Sequence, residues 1–418
     1  MRRIRIILLS FLLAFAAGCG KNSAGKLQLT WAVGKDATGA QKKLIKLFME
    51  RHPKYLINMI EMPESANSQR DSYVTYLTAH DSSIDIYSLD IIWPAEFAAA
   101  GWLLPLGGKL TYPDRNDFLK GPLDGCTYKK ELYAVPWFTD AGVLYYRKDL
   151  LENEKLTYPK TWEELEKQAL LIGNKYKING FVFQAEQYEG LVCNFLEYLW
   201  SFGGDVMDKN GKPSLDSPAG RGALGFMYDM IHINRIVPEG TLAYKEEESR
   251  QVFTSGKAVF LRNWPYVWAL AQDKTKSKVA GLVGIAPLPG NPPFKGASAL
   301  GGWNLGISKF SKNPGAAWEF ITFMTSAEAQ KVYAIEGGRL PTRKSVYKDK
   351  DVLAFAPHYG DFYDVFVNAK PRPASPVYSQ MSDIIQIEVH QALTKQKNIA
   401  EALKSIDSKL AGLSGKGM

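Results

Sequence analysis

Features that commonly identify a disulfide-rich protein or a metalloprotein are scarce in this chain. Its 418 residues include only three cysteines, too few for the disulfide scaffold of a small secreted domain. The five histidines lie far apart, and no two of them have the spacing of metal ligands. We therefore expect neither a disulfide-stapled fold nor a metal site. The histidines are His52, His80, His232, His358 and His390.

The common catalytic motifs are also missing. The sequence contains no Gly-x-Ser-x-Gly, His-Glu-x-x-His, P-loop or Gly-x-Gly-x-x-Gly pattern, so we expect no enzyme and no cofactor. Carboxylates are abundant, and an exported glycoside hydrolase with a carboxylate pair stays open as the alternative. No block of lysine and arginine could neutralise a row of phosphates, which argues against nucleic-acid binding.

The one long apolar run lies at the N-terminus and is too short to span a bilayer permanently. Residues 1–18 combine an arginine-rich start with this run and are interpreted as a signal peptide. Their three arginines are removed with it, which lowers the net charge from +8 to +5. The small residues Ala16-Ala17-Gly18 before Cys19 resemble the bacterial lipoprotein box, which predicts a lipidated Cys19 and a tether over residues 19–26.

An ordinary signal peptide followed by an incidental cysteine is the alternative to lipidation. In both cases the folded body is expected in the cell envelope, in the periplasm or at the outer face of the cytoplasmic membrane. No ATP is present there, which disfavours kinase-like chemistry. The other two cysteines, Cys126 and Cys193, could pair in that oxidising compartment or remain separate buried thiols, and the sequence leaves both open.

The length favours two domains, and the patterning favours the α/β class. Alternating apolar residues predict a strand at 27–33, and a helix must end before Pro53. Strands and helices then alternate along most of the chain, as at 84–89 and 94–101. Such alternation predicts mostly parallel sheets covered on both faces.

Polar residues beside aromatics follow several predicted strands. In parallel α/β sheets, ligands bind beyond the carboxyl ends of the strands. A sugar ring offers C–H patches to an indole or phenol, while its hydroxyls seek charged acceptors and donors. The pattern therefore favours sugar binding. The four clusters are Asp90 with Trp93-Pro94, Trp137 to Asp140, Arg262 to Tyr266, and Gly301 to Asn304.

Each cluster also has a simpler interpretation. An aromatic residue near a strand end is often core packing. Asp90 could only cap the following helix, and Arg262 could only pair with a nearby acid. Four such clusters in one exported chain argue more strongly for a ligand than any one of them.

In these clusters and in several further stretches, the chain resembles the extracellular solute-binding proteins of ABC sugar importers, specifically the trehalose/maltose-binding branch (solute-binding protein family 1). The resemblance covers essentially the whole chain after the leader. The stretches that carry it are Asp90-Ile91-Ile92-Trp93-Pro94-Ala95-Glu96-Phe97-Ala98, Cys126-Thr127-Tyr128, Tyr133-Ala134-Val135-Pro136, Asp140-Ala141-Gly142-Val143-Leu144-Tyr145-Tyr146-Arg147, Glu189-Gly190-Leu191-Val192-Cys193, Arg262-Asn263-Trp264-Pro265-Tyr266, Gly301-Gly302-Trp303, Arg372-Pro373 and Ser375-Pro376-Val377-Tyr378.

The resemblance implies a periplasmic-binding-protein-like (type II) α/β fold, in which two discontinuous lobes joined by a hinge enclose a ligand cleft. By analogy the N-terminal lobe comprises 27–134 with 305–340, and the C-terminal lobe comprises 135–304 with 341–418. The chain would change lobe near 134–137, 302–308 and 338–342. Sugar binding would favour the closed arrangement, which the permease recognises.

The resemblance also implies roles for individual residues. Asp90 and Asp140 would accept sugar hydroxyls, and Trp264, Tyr266 and Trp303 would be platforms, with the backbone of Gly302 as a donor. Arg372 and Arg70 are the implied arginine contacts. Relatives often carry Tyr where Phe138 stands, so only stacking or packing is expected there. Relatives also place a Glu near the start of the first helix, where this chain offers Asp36 and Gln41, of which we include Gln41.

These implications predict a lipid-anchored, non-enzymatic receptor, expected to be a monomer, for a disaccharide of the trehalose, maltose or sucrose class. It would deliver the sugar to the transmembrane subunits of an ABC permease. Besides the hydrolase, a receptor for another sugar or for a glycerol-phosphate ligand remains as an alternative.

Overall fold

The computed structural model describes residues 25–112 and 114–413. The predicted signal peptide and Cys19 therefore lie outside the described residues. The strands are β1 (Leu27–Gly34), β2 (Tyr55–Met62), β3 (Ile86–Asp90), β4 (Thr127–Tyr128), β5 (Glu131–Leu132), β6 (Ala134–Ala141), β7 (Val143–Arg147), β8 (Asn179–Val182), β9 (Ala258–Asn263), β10 (Val283–Ala286), β11 (Leu300–Ile307) and β12 (Leu340–Pro341).

Helices cover both sheets and form most of the C-terminal region. Short 3₁₀ turns occur at Glu239–Ala243 and Val346–Lys348. The α-helices are α1 (Ala40–Arg51), α2 (Ala66–Thr78), α3 (Pro94–Ala99), α4 (Asp114–Asp117), α5 (Lys120–Gly125), α6 (Lys148–Asn153), α7 (Trp162–Tyr176), α8 (Glu189–Ser201), α9 (Pro218–His232), α10 (Glu246–Thr254), α11 (Val267–Gln272), α12 (Pro314–Met324), α13 (Ala327–Gly337), α14 (Lys350–Phe355), α15 (His358–Asp361), α16 (Tyr363–Val367), α17 (Tyr378–Leu393) and α18 (Ile399–Ala411).

Local sequence signals explain many of these boundaries. Thr161 caps α7, because its hydroxyl accepts a hydrogen bond from the Glu164 backbone N–H at 3.1 Å. The Glu164 carboxylate reaches back to the backbone N–H of Lys160 rather than to that of Thr161. Ser217 caps α9, which has a proline in its first turn.

The strands form a six-stranded sheet in the order β12-β6-β11-β3-β1-β2 and a four-stranded sheet in the order β10-β7-β9-β8. The short strands β4 and β5 pair separately. The prediction of mostly parallel sheets is wrong. β1 runs parallel to β2 and β3, and β8 to β9, whereas the other described pairs are antiparallel.

The error has a topological cause. Alternation along the chain predicts a strand that returns through a local helix in the same direction. β11 instead returns about 160 residues after β6 and inserts antiparallel between β6 and β3. The hydrophobic pattern of a short stretch of sequence does not predict where such a distant strand pairs or in which direction it runs.

The connection between the two sheets is almost direct. β6 belongs to the six-stranded sheet and β7 to the four-stranded sheet, with only Gly142 between them. A Cβ at Gly142 would lie 2.0 Å from the Glu197 carboxylate, so only glycine fits. The segments predicted to change lobe belong to β6, β11 and β12, which are neighbours in the six-stranded sheet. The exact lobe boundaries stay a prediction.

Buried apolar side chains of the described residues form three clusters. One packs around Trp31, Trp137 and Phe320 against the six-stranded sheet. A second contains residues of α8, α9, α17 and α18. The third joins β7 and β9 to the helices after β12. Along β6, Phe138 belongs to the first cluster and Ala141 to the third, so the chain passes between cores at Thr139 and Asp140.

The two described cysteines, Cys126 and Cys193, are free buried thiols. Burial raises the pKa of both, so the neutral form predominates. Within the described ranges, no helix is long and apolar enough to span a membrane.

Gly302→Ala is expected to destabilise the protein by about 2 kcal/mol, because the site combines steric overlap with an unfavourable backbone conformation. A Cβ there would lie 2.5 Å from the Phe138 carbonyl oxygen, and φ is +123°. Gly225→Ala, on a helix with open space around it, is the matched control and should leave stability unchanged or slightly higher. Thermal unfolding of both variants measures the difference; equal melting temperatures would contradict the prediction.

Candidate ligand-binding cleft

A cavity of about 310 Å³ opens where the ends of β3, β6 and β11 meet the first turns of α8 and α10. It receives residues from the six-stranded sheet and from segments attached to the four-stranded sheet. Its lining residues are Lys35, Ala37, Glu64, Ala66, Asp90, Asp140, Tyr188, Glu189, Gly190, Cys193, Glu246, Glu247, Glu248, Gln251, Trp264, Tyr266, Gly301, Gly302, Trp303, Arg339 and Arg372.

Strand register explains why distant residues meet at this cavity. Trp303 on β11 is the antiparallel partner of Asp90 at the end of β3. On the opposite side of β11, Gly301 is the partner of Asp140 on β6. The two aspartates therefore lie on strands that flank β11, on either side of Trp303. Seven of the ten predicted binding residues line the cavity: Asp90, Asp140, Trp264, Tyr266, Gly302, Trp303 and Arg372.

Arg372 links two carboxylates at one side of the cavity. Its Nη2 donates to Asp90 Oδ1 at 3.1 Å, and its Nη1 donates to Glu189 Oε1 at 2.6 Å. Glu189 also accepts hydrogen bonds from the hydroxyls of Tyr378 and Ser382. Burial raises the pKa of Asp90, although the Arg372 guanidinium opposes the shift. Much of the hydrogen-bonding capacity of Arg372 is thus already used within the protein.

Asp140 differs from Asp90 in its lack of partners. Its side chain is 6% exposed, and its nearest cation is Arg339, with Nη1 3.9 Å from Oδ2. The other oxygen, Oδ1, has no hydrogen-bond partner. Burial is the main cause that raises the pKa of Asp140 to about 7, and the Asp90 charge adds to it. A buried acceptor with unused capacity at a cavity wall suits a ligand that carries hydroxyl donors.

Aromatic rings form another part of the wall. The Trp264 ring is covered on one face by the Arg262 guanidinium, 4.1 Å from the ring centroid, and its Nε1 donates to Glu246 at 3.2 Å. Trp303 packs edge-on against Trp93. Tyr266 donates to Glu247 at 2.6 Å. These contacts hold the rings in place, which reduces the entropy lost when a ligand stacks on them.

Gly302 lies in the wall between these groups. Its carbonyl oxygen accepts from the backbone N–H of Ile91 at 3.0 Å. The role predicted for its own N–H, as a donor to sugar, stays a prediction.

Three predicted residues are not part of this cavity. Gln41 is buried, and its amide contacts the Gly34 carbonyl and the Tyr333 hydroxyl. Phe138 is buried against Tyr333 and beneath Arg339. Arg70 forms a bidentate ion pair with Glu96 beside a separate small cavity. Each prediction came from a family position, and in this chain each side chain contacts residues outside the cavity lining.

The simpler interpretation of Arg262 agrees with the structure. Its guanidinium forms two hydrogen bonds with Glu197, of 2.7 and 2.6 Å, and both side chains are 2% exposed. The pair supports the Trp264 ring from behind the cavity wall, and neither of its residues lines the cavity.

Several lining residues were not predicted, notably Glu189, Glu246, Glu247 and Arg339. Glu189 opens α8 and the other two glutamates open α10, so each was indistinguishable from an acid placed for the helix dipole. Arg339 had a better signal, since it lies inside the predicted crossing segment 338–342. Its guanidinium lies between the rings of Phe138 and Tyr266, 4.7 Å from each centroid.

Comparison with known proteins identifies the family. A sequence profile described as bacterial extracellular solute-binding protein matches residues 32–331. The chain belongs to this family. A probable ABC transporter-binding protein of Deinococcus radiodurans is 38% identical to this solute-binding protein over 86% of this chain and 87% of its own.

Solved structures agree with the assignment. The maltose-bound T. maritima MalE3 has a TM-score of 0.90 and 45% identity, covering 92% of this chain and 99% of its own. A solute-binding protein of Agrobacterium vitis S4 with bound D-mannitol has a TM-score of 0.81 and 25% identity, over 93% and 99%. The predicted type II periplasmic-binding-protein-like fold, mixed α/β with two lobes, is therefore confirmed.

Family membership also decides between the function classes. This protein is a solute-binding protein of an ABC transporter and not an enzyme, so the glycoside hydrolase alternative is set aside. Because the family is extracellular, the folded chain acts outside the cytoplasm.

Proposed function

We propose that this protein captures an α-linked disaccharide of the maltose, trehalose or sucrose class and delivers it to the permease of an ABC importer. The observation that carries the proposal is the unpartnered carboxylate oxygen of Asp140, buried in the same cavity wall as Trp264 and Trp303. Such a site offers a fixed acceptor for hydroxyls beside flat apolar faces for sugar rings.

The size of the cavity supports a ligand of about two sugar rings. About 310 Å³ lies at the lower end of the roughly 300–1,000 Å³ found for small-molecule sites. Relatives support sugars and sugar alcohols in general: the 45% identical structure holds maltose, and the 25% identical one holds D-mannitol. Seven carboxylates line the cavity, which argues against the glycerol-phosphate alternative because phosphate is an anion.

Closure of the two lobes would complete the site. The cavity is lined by strands of the six-stranded sheet and by segments attached to the four-stranded sheet, so a ligand contacts both lobes only when they approach each other. The nearly direct link through Gly142 and the neighbouring strands β11 and β12 are suited to act as the hinge. The closed, sugar-loaded form would then be the form that the permease binds.

The leader completes the proposal. Residues 1–18 would direct export, and Cys19 would be lipidated and hold the monomeric receptor at the membrane through residues 19–26. Mass spectrometry of the membrane fraction tests this: a diacylated Cys19 supports it, and a soluble chain with an unmodified cysteine contradicts it.

The sugar class is tested by isothermal titration and thermal shift with maltose, trehalose, sucrose, mannitol, ribitol and glycerol 3-phosphate. Ligand at about one hundred times its dissociation constant should stabilise the protein by about 2.7 kcal/mol. Saturable binding of an α-linked disaccharide without sugar release supports the proposal. Tighter binding of mannitol, ribitol or glycerol 3-phosphate would contradict the proposed disaccharide and identify that compound's class as the ligand.

Trp303→Ala is expected to weaken disaccharide binding roughly tenfold, about 1.4 kcal/mol, because one stacking face is lost. The variant should fold normally, since Trp303 is only half-buried at the cavity wall. Trp318→Ala, on α12 and outside the cavity lining, is the matched control. Titration of both variants checks the prediction, and unchanged affinity in Trp303→Ala would assign this ring to packing alone.

A further inference from the structure

The charges around the cavity are strongly unbalanced. Seven carboxylates line it, against three cations, Lys35, Arg339 and Arg372. A neutral disaccharide needs hydrogen-bond acceptors but not an excess of negative charge. The excess of negative charge therefore indicates that the cavity also selects its ligand by charge.

Two of the three cations are already engaged inside the protein. Arg372 is shared between Asp90 and Glu189. Arg339 lies between two aromatic rings and only approaches Asp140, at 3.9 Å. The Nε atoms of both arginines have no hydrogen-bond partner, but each guanidinium faces buried carboxylates, so the cavity keeps an excess of negative charge.

Two carboxylates keep acceptor capacity toward the cavity. Asp140 Oδ1 has no partner, although the side chain is more than nine-tenths buried. Glu246 Oε1 accepts a hydrogen bond from Trp264 at 3.2 Å, and the Tyr188 hydroxyl interacts with the same carboxylate. Asp140 and Glu246 are close enough for the charge of Glu246 to raise the pKa of Asp140. A cation between them would relieve this repulsion.

The mouth of the cavity carries the same sign. Glu64, after β2, lines the same cavity as Glu247 and Glu248 of α10, and burial and the charges of both raise its pKa. Lys35 and Lys245 only partly offset this cluster. An approaching anion is therefore repelled before it reaches the inner wall.

We propose that the cleft selects sugars by charge, binding an amine-bearing disaccharide more tightly than its neutral parent and rejecting phosphorylated or carboxylated sugars, with Asp140 and Glu246 recognising the ammonium group. The inference rests on the proposed function, because it assigns the substrate class of the same site. An ammonium group has three donors and a positive charge, which matches two partly unpartnered carboxylates.

The test compares neutral, positively charged and negatively charged derivatives of the same disaccharides by titration calorimetry at pH 7.4. The probes are trehalose and maltose, their 2-amino-2-deoxy derivatives, the N-acetylated forms of these amines and the 6-phosphates. We expect the better amine to bind at least tenfold more tightly than its parent, and the phosphates to show no binding. Acetylation should abolish the gain, because it removes the charge.

Glu246→Gln separates charge from shape, since an amide oxygen can still accept from Trp264. It should reduce the preference for amine over neutral sugar to about threefold or less. Glu163→Gln, on the exposed face of α7, makes the same change in net charge and should keep the full preference. Three results would overturn the inference and leave the proposed function intact. They are an amine that binds no better than its parent, a preference for the amine that is unchanged in Glu246→Gln, and a phosphate that binds as well as the parent. Failure of every disaccharide to bind overturns the proposed function and the inference with it.

Discussion

Asp140→Asn is expected to weaken disaccharide binding by about 3 kcal/mol, roughly a hundredfold. A carboxylate can accept two neighbouring hydroxyls with charge assistance, whereas an amide offers one neutral acceptor and places an NH₂ group at the other position. Asp140 has an unused buried oxygen, so these hydrogen bonds would not replace existing ones. Titration calorimetry with the best disaccharide measures the loss.

Asp149→Asn is the matched control, because Asp149 pairs with Arg147 after β7 and does not line the cavity. It should bind sugar as the wild type does. Wild-type affinity in Asp140→Asn would remove this residue from the site and, with it, the main support for the proposed function.

The pH dependence of the same residue gives an independent check. Burial raises the pKa of Asp140 from its ordinary value of 3.8 to about 7 in the sugar-free protein. The ionised form is the better hydroxyl acceptor, so wild-type affinity should fall as the pH decreases from 8 to 5. In Asp140→Asn this slope should be absent.

Stability should change in the opposite direction. A group whose pKa is raised by folding contributes stability that is fully present below its unfolded pKa and is lost as the pH rises through its folded pKa. Asp140 therefore lowers the stability of the sugar-free protein between about pH 4 and pH 7. We expect Asp140→Asn to melt at a higher temperature than wild type at pH 8, with the difference vanishing at pH 4. Scanning calorimetry at both pH values measures it.

Glu197→Ala is expected to lower the free energy of unfolding by about 3–5 kcal/mol, because Arg262 would be left as an uncompensated buried charge. The Glu197 carboxylate also accepts from the backbone N–H of Ala299 at 3.0 Å, just before β11. Denaturant unfolding followed by circular dichroism measures the loss. Sugar binding should weaken too, since Arg262 supports the Trp264 ring.

An exposed glutamate provides the comparison for this ion pair. Glu163 pairs with Lys167 on α7, where the two side chains are 75% and 72% exposed. Because water screens that pair, Glu163→Ala should not change stability measurably. Equal stability of Glu197→Ala and Glu163→Ala would contradict the role assigned to the buried pair.

Much of the secondary structure could be predicted because its causes are local. The cap of α7 at Thr161 depends on neighbours three residues away, and α1 ends at Arg51, before Pro53. Sheet direction depended on distant pairing and was predicted wrongly. The antiparallel insertion of β11 beside β3 joins residues more than two hundred positions apart.

The site was predictable only where strand ends marked it. Asp90 and Asp140 lie at the ends of β3 and β6, Trp303 on β11 pairs with Asp90, and all three line the cavity. Glu246 and Glu247 opened a helix like many other glutamates and gave no such signal. Arg70 and Gln41 matched family positions, but the partners that occupy them, Glu96 and Tyr333, come from separate parts of the chain.

By itself the sequence determined the α/β class, the capped helices and the presence of sugar-compatible clusters, since each depends on residue type and short spacing. Only the tertiary structure decided which polar side chains already have hydrogen-bond or ion-pair partners within the protein. Arg372 and Arg262 look alike in the sequence, yet one lies at the cavity wall and the other behind it, each neutralised by buried acids. Asp140 keeps a buried oxygen without a partner, whereas Asp90 Oδ1 accepts from Arg372, because hydrogen-bond satisfaction depends on partners that only folding brings together.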